Sequence, residues 1–383
     1  MEVYITDLAA FLPNEPVTND EIESIMGRAS GISSRIRRTV LRNNGIKTRY
    51  YAIDRRSGEI THTNAQMTAE AVRRLRPSAH FSLHDIECLC CGTSTPDQLM
   101  PGHASMVHGE LGNPPCEVVS TSGICISGMT AMKFGFASIA AGMSRNAVTT
   151  GSEAASTLFR MQRHPNPGTT SPETTPEDSP ILGFNAEFLK WMLSDGAGAA
   201  FLESRPADNR LSLRIDWIEQ VSFANELETC MYAGAVKHEN GILQGWRGFD
   251  SLQEAMDNNC FAIHQDVKLL NREIVKTAVD RTVPIIIRKH NLSASDVDWF
   301  LPHYSSEFFK NDFYLRLKSI GFEIPLEKWF TNLHTKGNTG AASIYIILDE
   351  LFHSQKIQKG QKLLCFIPES GRFSICYMLL TAV

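Results

Sequence analysis

Short runs of apolar residues alternate along this chain with stretches in which apolar positions recur three or four residues apart, and this rhythm predicts strands alternating with helices. Val3 to Ala9 and Leu211 to Ile218 read as strands, each opening one half of the chain. Ile86-Glu87-Cys88-Leu89-Cys90-Cys91 reads as a buried strand whose cysteines serve as small hydrophobes. An apolar run around Val118 passes through small residues into a helical pattern at Met129, Met132, Phe136 and Ile139. A second such helix puts Ile344, Ile347, Leu348 and Leu351 on one face.

The pieces recur in order at a spacing of roughly 210 residues, which marks an internal duplication. Ser82 to Glu87, leading to Thr93-Ser94-Thr95-Pro96, resembles Ser293 to Asp298, leading to His303-Tyr304-Ser305-Ser306. The strand around Val118 and the helix after Cys125 are echoed by a strand at Lys328-Trp329-Phe330, a turn at Gly337-Asn338-Thr339-Gly340 and a helix, so Cys125 and Asn338 become positional counterparts. Ala147 to Glu153 parallels Leu364 to Ser370, and Gly198 to Leu202 parallels Tyr377 to Leu380. The expectation is an α/β fold of two duplicated halves, 1–205 and 206–383, with a loop insertion at about 160–180.

Composition narrows the classes. With 43% hydrophobic and 21% charged residues and a formal charge of −5, nothing favours bulk binding to nucleic acid or membrane. No apolar run reaches about 18 residues and the N-terminus carries no basic leader, so a cytoplasmic protein is expected. The nine cysteines are odd in number, and their one Cys-x-x-Cys spacing, Cys88 with Cys91, lies inside the buried-strand run with no second such pair, which argues against a disulfide framework and a zinc site.

Three residues then fall at corresponding ends of core elements: Cys125 at a helix start, His303 after Phe300-Leu301-Pro302, and Asn338 in its glycine-flanked turn. Ligands of α/β sheets collect outside such strand ends. A thiol at a helix start faces unpaired amides and the positive end of the dipole, which favour thiolate.

The motifs Thr95-Pro96-Asp97, Cys125 with Ser127-Gly128, Asp195-Gly196-Ala197-Gly198-Ala199, Pro302-His303 and Gly337-Asn338-Thr339 with Ala341-Ala342-Ser343 resemble those of thiolase-fold condensing enzymes of the β-ketoacyl-ACP synthase III type, over nearly the whole chain. The resemblance implies a five-layered α-β-α-β-α core and a catalytic trio of Cys125, His303 and Asn338. It also implies CoA or acyl-carrier-protein thioesters as substrates, no metal or redox cofactor, and a homodimer. Cys125 would take the acyl group, with its own amide and that of Gly371 as oxyanion donors; His303 and Asn338 would hold an enolate oxygen. The stretches Leu41 to Tyr51, His62 to Gln66, Phe188 to Gly196, Glu226 to Gly234 and Pro368 to Ser374 further resemble the bacterial ketosynthase/cyclases that make dialkylresorcinol and stilbene precursors. Their reaction joins a β-ketoacyl thioester to an α,β-unsaturated acyl thioester by Claisen condensation and Michael addition, giving a cyclohexane-1,3-dione.

Glu369-Ser370-Gly371-Arg372 stands where ordinary synthases of this type carry a glycine-rich run, which places a carboxylate and a cation near the expected site. The Michael step removes a proton from carbon flanked by two carbonyls and therefore benefits from another base; Glu153 is the first candidate and Glu369 the second. Arg35, Arg38, Arg42 and Arg49, within a cluster that includes Arg28, Arg37 and Lys47, would face anionic pantetheine phosphate and carrier-protein helices, and Arg160 and Arg163 would extend that surface. Competing readings are a chain-initiating synthase with a linear product, a simple acyltransferase, and a degenerate binding subunit.

Overall fold

The computed structural model describes residues 1–27, 34–161 and 188–383. Nine strands form one hydrogen-bonded sheet: β1 (Tyr4–Phe11), β2 (Cys88–Thr93), β3 (Glu117–Thr121), β4 (Asn146–Glu153), β5 (Gly196–Glu203), β6 (Leu213–Ser222), β7 (Trp299–Pro302), β8 (Lys362–Pro368) and β9 (Ser374–Ala382), in the order β7-β8-β9-β6-β1-β5-β4-β2-β3. Outward from β1, the pairings with β5 and β4 are antiparallel and those with β2 and β3 parallel. Outward from β6, β9 and β8 follow antiparallel and β7 parallel. The two series meet at a short seam where Tyr4 pairs with Arg214 and Ile5 with Leu213.

The fifth strand expected at Lys328-Trp329-Phe330 is reduced to one parallel bridge between Phe300 and Trp329. A 3-10 turn at Leu326–Lys328 occupies the approach, and Trp329 turns its indole N–H to the Ile324 carbonyl at 2.9 Å. The repeat is more literal in the turns before β2 and β7. Leu83–Asp85 and Ala294–Asp296 are both 3-10 turns closed by capping boxes, from Ser82 and Ser293.

Two helices matter most for the site, α1 (Ser127–Ala140) and α2 (Ser343–His353). A single apolar face was expected for α2, yet Ser343 to Leu348, Leu351 and Phe352 are all buried. The helix packs on β1 and β5 and also on β7, and a helix apolar on every side belongs inside a layered core. The backbones entering α1 and α2 approach closely. A Cβ on Gly128 would sit 2.5 Å from the Ala341 carbonyl oxygen, and one on Gly151 closer still. Cys125 stands two residues before the start of α1, whereas two residues before α2 stands Ala341. The structural counterpart of Cys125 is therefore Ala341, and Asn338 lies three residues further upstream than the sequence repeat implied. The insertion at 160–180 falls, beyond Met161, outside the described residues.

Candidate active site

Cys125 occupies a 3-10 turn, Ile124–Ile126, between β3 and α1. The turn is tight: Gly123 has φ 141° and Ile124, a β-branched residue, φ 51°. Such a conformation costs on the order of 1–3 kcal/mol and persists only where its surroundings impose it. Here Ser127 Oγ donates to the Ile124 carbonyl at 2.6 Å, and the amide of Ile126 to Gly123 at 3.3 Å.

Cys125, His303, Asn338 and Glu153 line one cavity of about 240 Å³. His303 leaves the end of β7 with its amide on the Phe366 carbonyl at 2.8 Å. Burial pushes its imidazole down to about 4, so the ring is neutral near pH 7 and carries one N–H to donate. Asn338 is pinned on both sides of its backbone, its amide donating to the Met192 carbonyl at 3.0 Å and its carbonyl accepting from Ser194 at 2.8 Å. Its Oδ1 accepts the Gly340 amide at 3.0 Å, which turns the side-chain NH₂ outward as the remaining donor. The opposite wall is apolar, with Leu270, Ile274, Phe309 and Phe313 from the second half and Leu158 and Leu189 from the first.

Glu153 ends β4 and is buried. Its Oε2 accepts from the Thr95 hydroxyl at 2.8 Å, and its Oε1 from the amides of Ser94 at 3.2 Å and Ala341 at 3.4 Å. Burial outweighs these donors and pushes the carboxyl up to about 7. Glu369 follows β8 at the matching place, but its carboxylate folds onto its own loop. It accepts from the amides of Gly371, Arg372 (3.2 Å) and Ser374 (3.0 Å), and it does not line the cavity. Two sequence expectations change accordingly. The Gly371 amide, expected as an oxyanion donor, is engaged by Glu369; and the Arg372 cation, expected beside the site, reaches out to the Leu227 carbonyl at 3.2 Å.

The thiol behaves oppositely to what the helix start alone predicts. Burial, then the negative charges of Glu369 and Glu153, push Cys125 well above the usual thiol range, against a lowering contribution from its own backbone amide. The sequence reasoning also missed Ser94 and Thr95 as anchors of Glu153. Hydroxyl residues at the end of a strand that faces the nucleophile were the available signal.

The similarity of this chain to known proteins is now interpretable. Residues 287–368 match the family model for the C-terminal part of 3-oxoacyl-[acyl-carrier-protein] synthase III, a span that includes His303 and Asn338. The β-ketoacyl-[acyl-carrier-protein] synthase III of Porphyra purpurea is 27% identical over 371 residues, covering 94% of both chains. Among solved structures, a variant of OleA from Xanthomonas campestris superposes with a TM-score of 0.75 at 21% identity, covering 100% of this chain and 98% of that one. AbyA1, a tetronic acid condensing enzyme, superposes with a TM-score of 0.74 at 20% identity, covering 99% of each. The fold is the thiolase fold. Along nearly its whole length the chain is thus similar to β-ketoacyl-[acyl-carrier-protein] synthase III.

The arginines divide. Arg35, Arg38 and Arg42 are exposed on the helix Ser34–Asn44, which packs beside Glu307–Phe309 at the cavity wall. Arg37 is tied to Glu23 at 3.0 Å, and Arg160 pairs with Glu59 at 3.5 Å. Arg49 is 0% exposed, donating to Asn19 Oδ1 at 2.8 Å and to the Trp191 carbonyl at 3.1 Å, and so leaves the docking surface to which its sequence position assigned it. Arg28 and Arg163 lie outside the described residues. Among the described residues, no group of three or more His, Cys, Asp or Glu is placed to hold a metal ion, and no helix is long and apolar enough to cross a membrane.

Proposed function

We propose that this protein is a ketosynthase/cyclase that joins a β-ketoacyl thioester to an α,β-unsaturated acyl thioester and closes a cyclohexane-1,3-dione ring. Cys125 loses its proton and attacks one thioester, releasing the carrier thiol and becoming acylated. The second substrate gives up a proton from carbon, the neutral His303 and the Asn338 amide donate to the enolate oxygen so formed, and that carbon attacks the acyl-cysteine, expelling the Cys125 thiolate, which takes up the equivalent proton and returns to the thiol. Glu153 removes the proton from the carbon between two carbonyls, and that carbon adds to the conjugated alkene to close the ring.

The observation that carries the cyclase reading is Glu153: a buried carboxyl in the same cavity as the trio, held by three donors, with its proton affinity near neutrality. The apolar wall suits acyl chains. The exposed Arg35, Arg38 and Arg42 beside it suit a carrier protein or the phosphates of CoA. A second reading, a chain-initiating synthase with a linear β-ketoacyl product, is favoured by the end-to-end similarity to the Porphyra purpurea enzyme.

Cys125→Ala should abolish both acylation and condensation. Asn338→Ala should still acylate at Cys125, seen as an intact-mass adduct, while carbon–carbon bond formation falls by at least a hundredfold, the scale for losing one oxyanion-type donor. Loss of acylation in Asn338→Ala would overturn the role given to that residue.

A further inference from the structure

We infer that Thr95 is a positioning residue, aiming Glu153 into the cavity and holding its carboxylate in the proton-accepting form. A hydroxyl has one hydrogen, and here its direction is fixed. The Ala154 amide donates into Thr95 Oγ1 at 2.9 Å, so the Thr95 hydrogen points to Glu153 Oε2, 2.8 Å away.

Thr95 is itself fixed by a chain of bonds running away from the site. Its amide donates to Thr93 Oγ1 at 3.1 Å, and its carbonyl accepts Asn64 Nδ2 at 2.8 Å, the same nitrogen that donates to Thr93 Oγ1 at 2.8 Å. Asn64 is fully buried, and the carboxylate of Asp97 accepts its amide at 2.7 Å and that of Ala65 at 2.9 Å, securing the start of the helix Asn64–Arg73. Asp97, Asn64, Thr93 and Thr95 therefore form one frame whose innermost hydroxyl meets Glu153. A donor to a carboxylate stabilises its charged form, so the frame opposes the burial that pushes Glu153 up.

The inference rests on Glu153 being the base of the proposed reaction, and the test separates the two. Wild type, Thr95→Val, Thr95→Ser and Glu153→Gln are compared in two pH profiles. One is the rate of ring closure; the other is Cys125 alkylation by iodoacetamide, which needs no catalytic turnover. Ionised Glu153 opposes the thiolate, so the alkylation profile bends where Glu153 titrates, and that bend should vanish in Glu153→Gln. Thr95→Val should move the bend and the acid limb of ring closure upward by about one pH unit, the worth of one hydrogen bond to a charged group, and Thr95→Ser should restore both. Thr95→Ala gives the same reading if the valine variant does not fold. A bend that stays in place when the hydroxyl is removed overturns the inference. A bend that moves while the ring-closure profile does not leaves Thr95 as the anchor of Glu153 but removes Glu153 as the base.

Discussion

Burial holds both Glu153 and Cys125 towards their neutral forms, and the charges of Glu369 and Glu153 further oppose the Cys125 thiolate. The Glu153 carboxyl has its proton affinity raised from 4.5 to about 7 by burial. The unfolded chain therefore releases this proton at lower pH than the folded one, so the native state loses stability as pH rises from about 4.5 to about 7 and remains lowered above it. The linkage amounts to roughly 3 kcal/mol. Glu153→Gln should abolish that loss, seen as a smaller drop in denaturant midpoint between pH 5 and pH 8 than in wild type, while ring closure falls and its acid limb near pH 7 disappears. An unchanged limb would mean that another group is the base. Cys125 was legible in the sequence because a thiol between a strand and a helical pattern is a local signal. The direction of its shift was not, because Glu153 and Glu369 are distant in sequence and only the fold brings their charges to bear on it.

At the scale of elements, the site depends on how closely the turns before α1 and α2 approach. Gly128 and Gly151 both face the Ala341 carbonyl at distances that admit no side chain, and Ala341 in turn donates its amide to Glu153. Gly151→Ala should force these backbones apart, costing about 3 kcal/mol by chemical denaturation, the upper end for overpacking, and should lower activity through the displaced Glu153 contact. Normal stability in that variant would mean that the Ala341 turn yields without cost. The strands and the helices of the core were legible from periodicity. The strand at Lys328-Trp329-Phe330 was not, because a two-fold pattern of apolar residues cannot show that Trp329 turns away to bond Ile324. The burial of Arg49 escaped the sequence for a similar reason: a run of basic residues does not reveal that one of them crosses to Asn19 and Trp191.

For the whole molecule, the strand series outward from β1 and from β6 follow the same order of pairings, two antiparallel and then parallel. Cys125 and Glu153 lie beside strands of the β1 series, His303 at the end of β7 and Asn338 in the turn before α2, and all four line one cavity. The chemistry that distinguishes a ring-closing from a chain-starting enzyme rests on one carboxyl and on products. The most direct measurement is mass spectrometry of the purified protein with a β-ketoacyl carrier protein and a medium-chain 2-enoyl thioester, scoring the Cys125 adduct and the released product together. An acylated Cys125 and a cyclic 1,3-dione are the expected result. An acylated Cys125 with no ring, followed by a linear β-ketoacyl product once malonyl carrier protein is added, would contradict it.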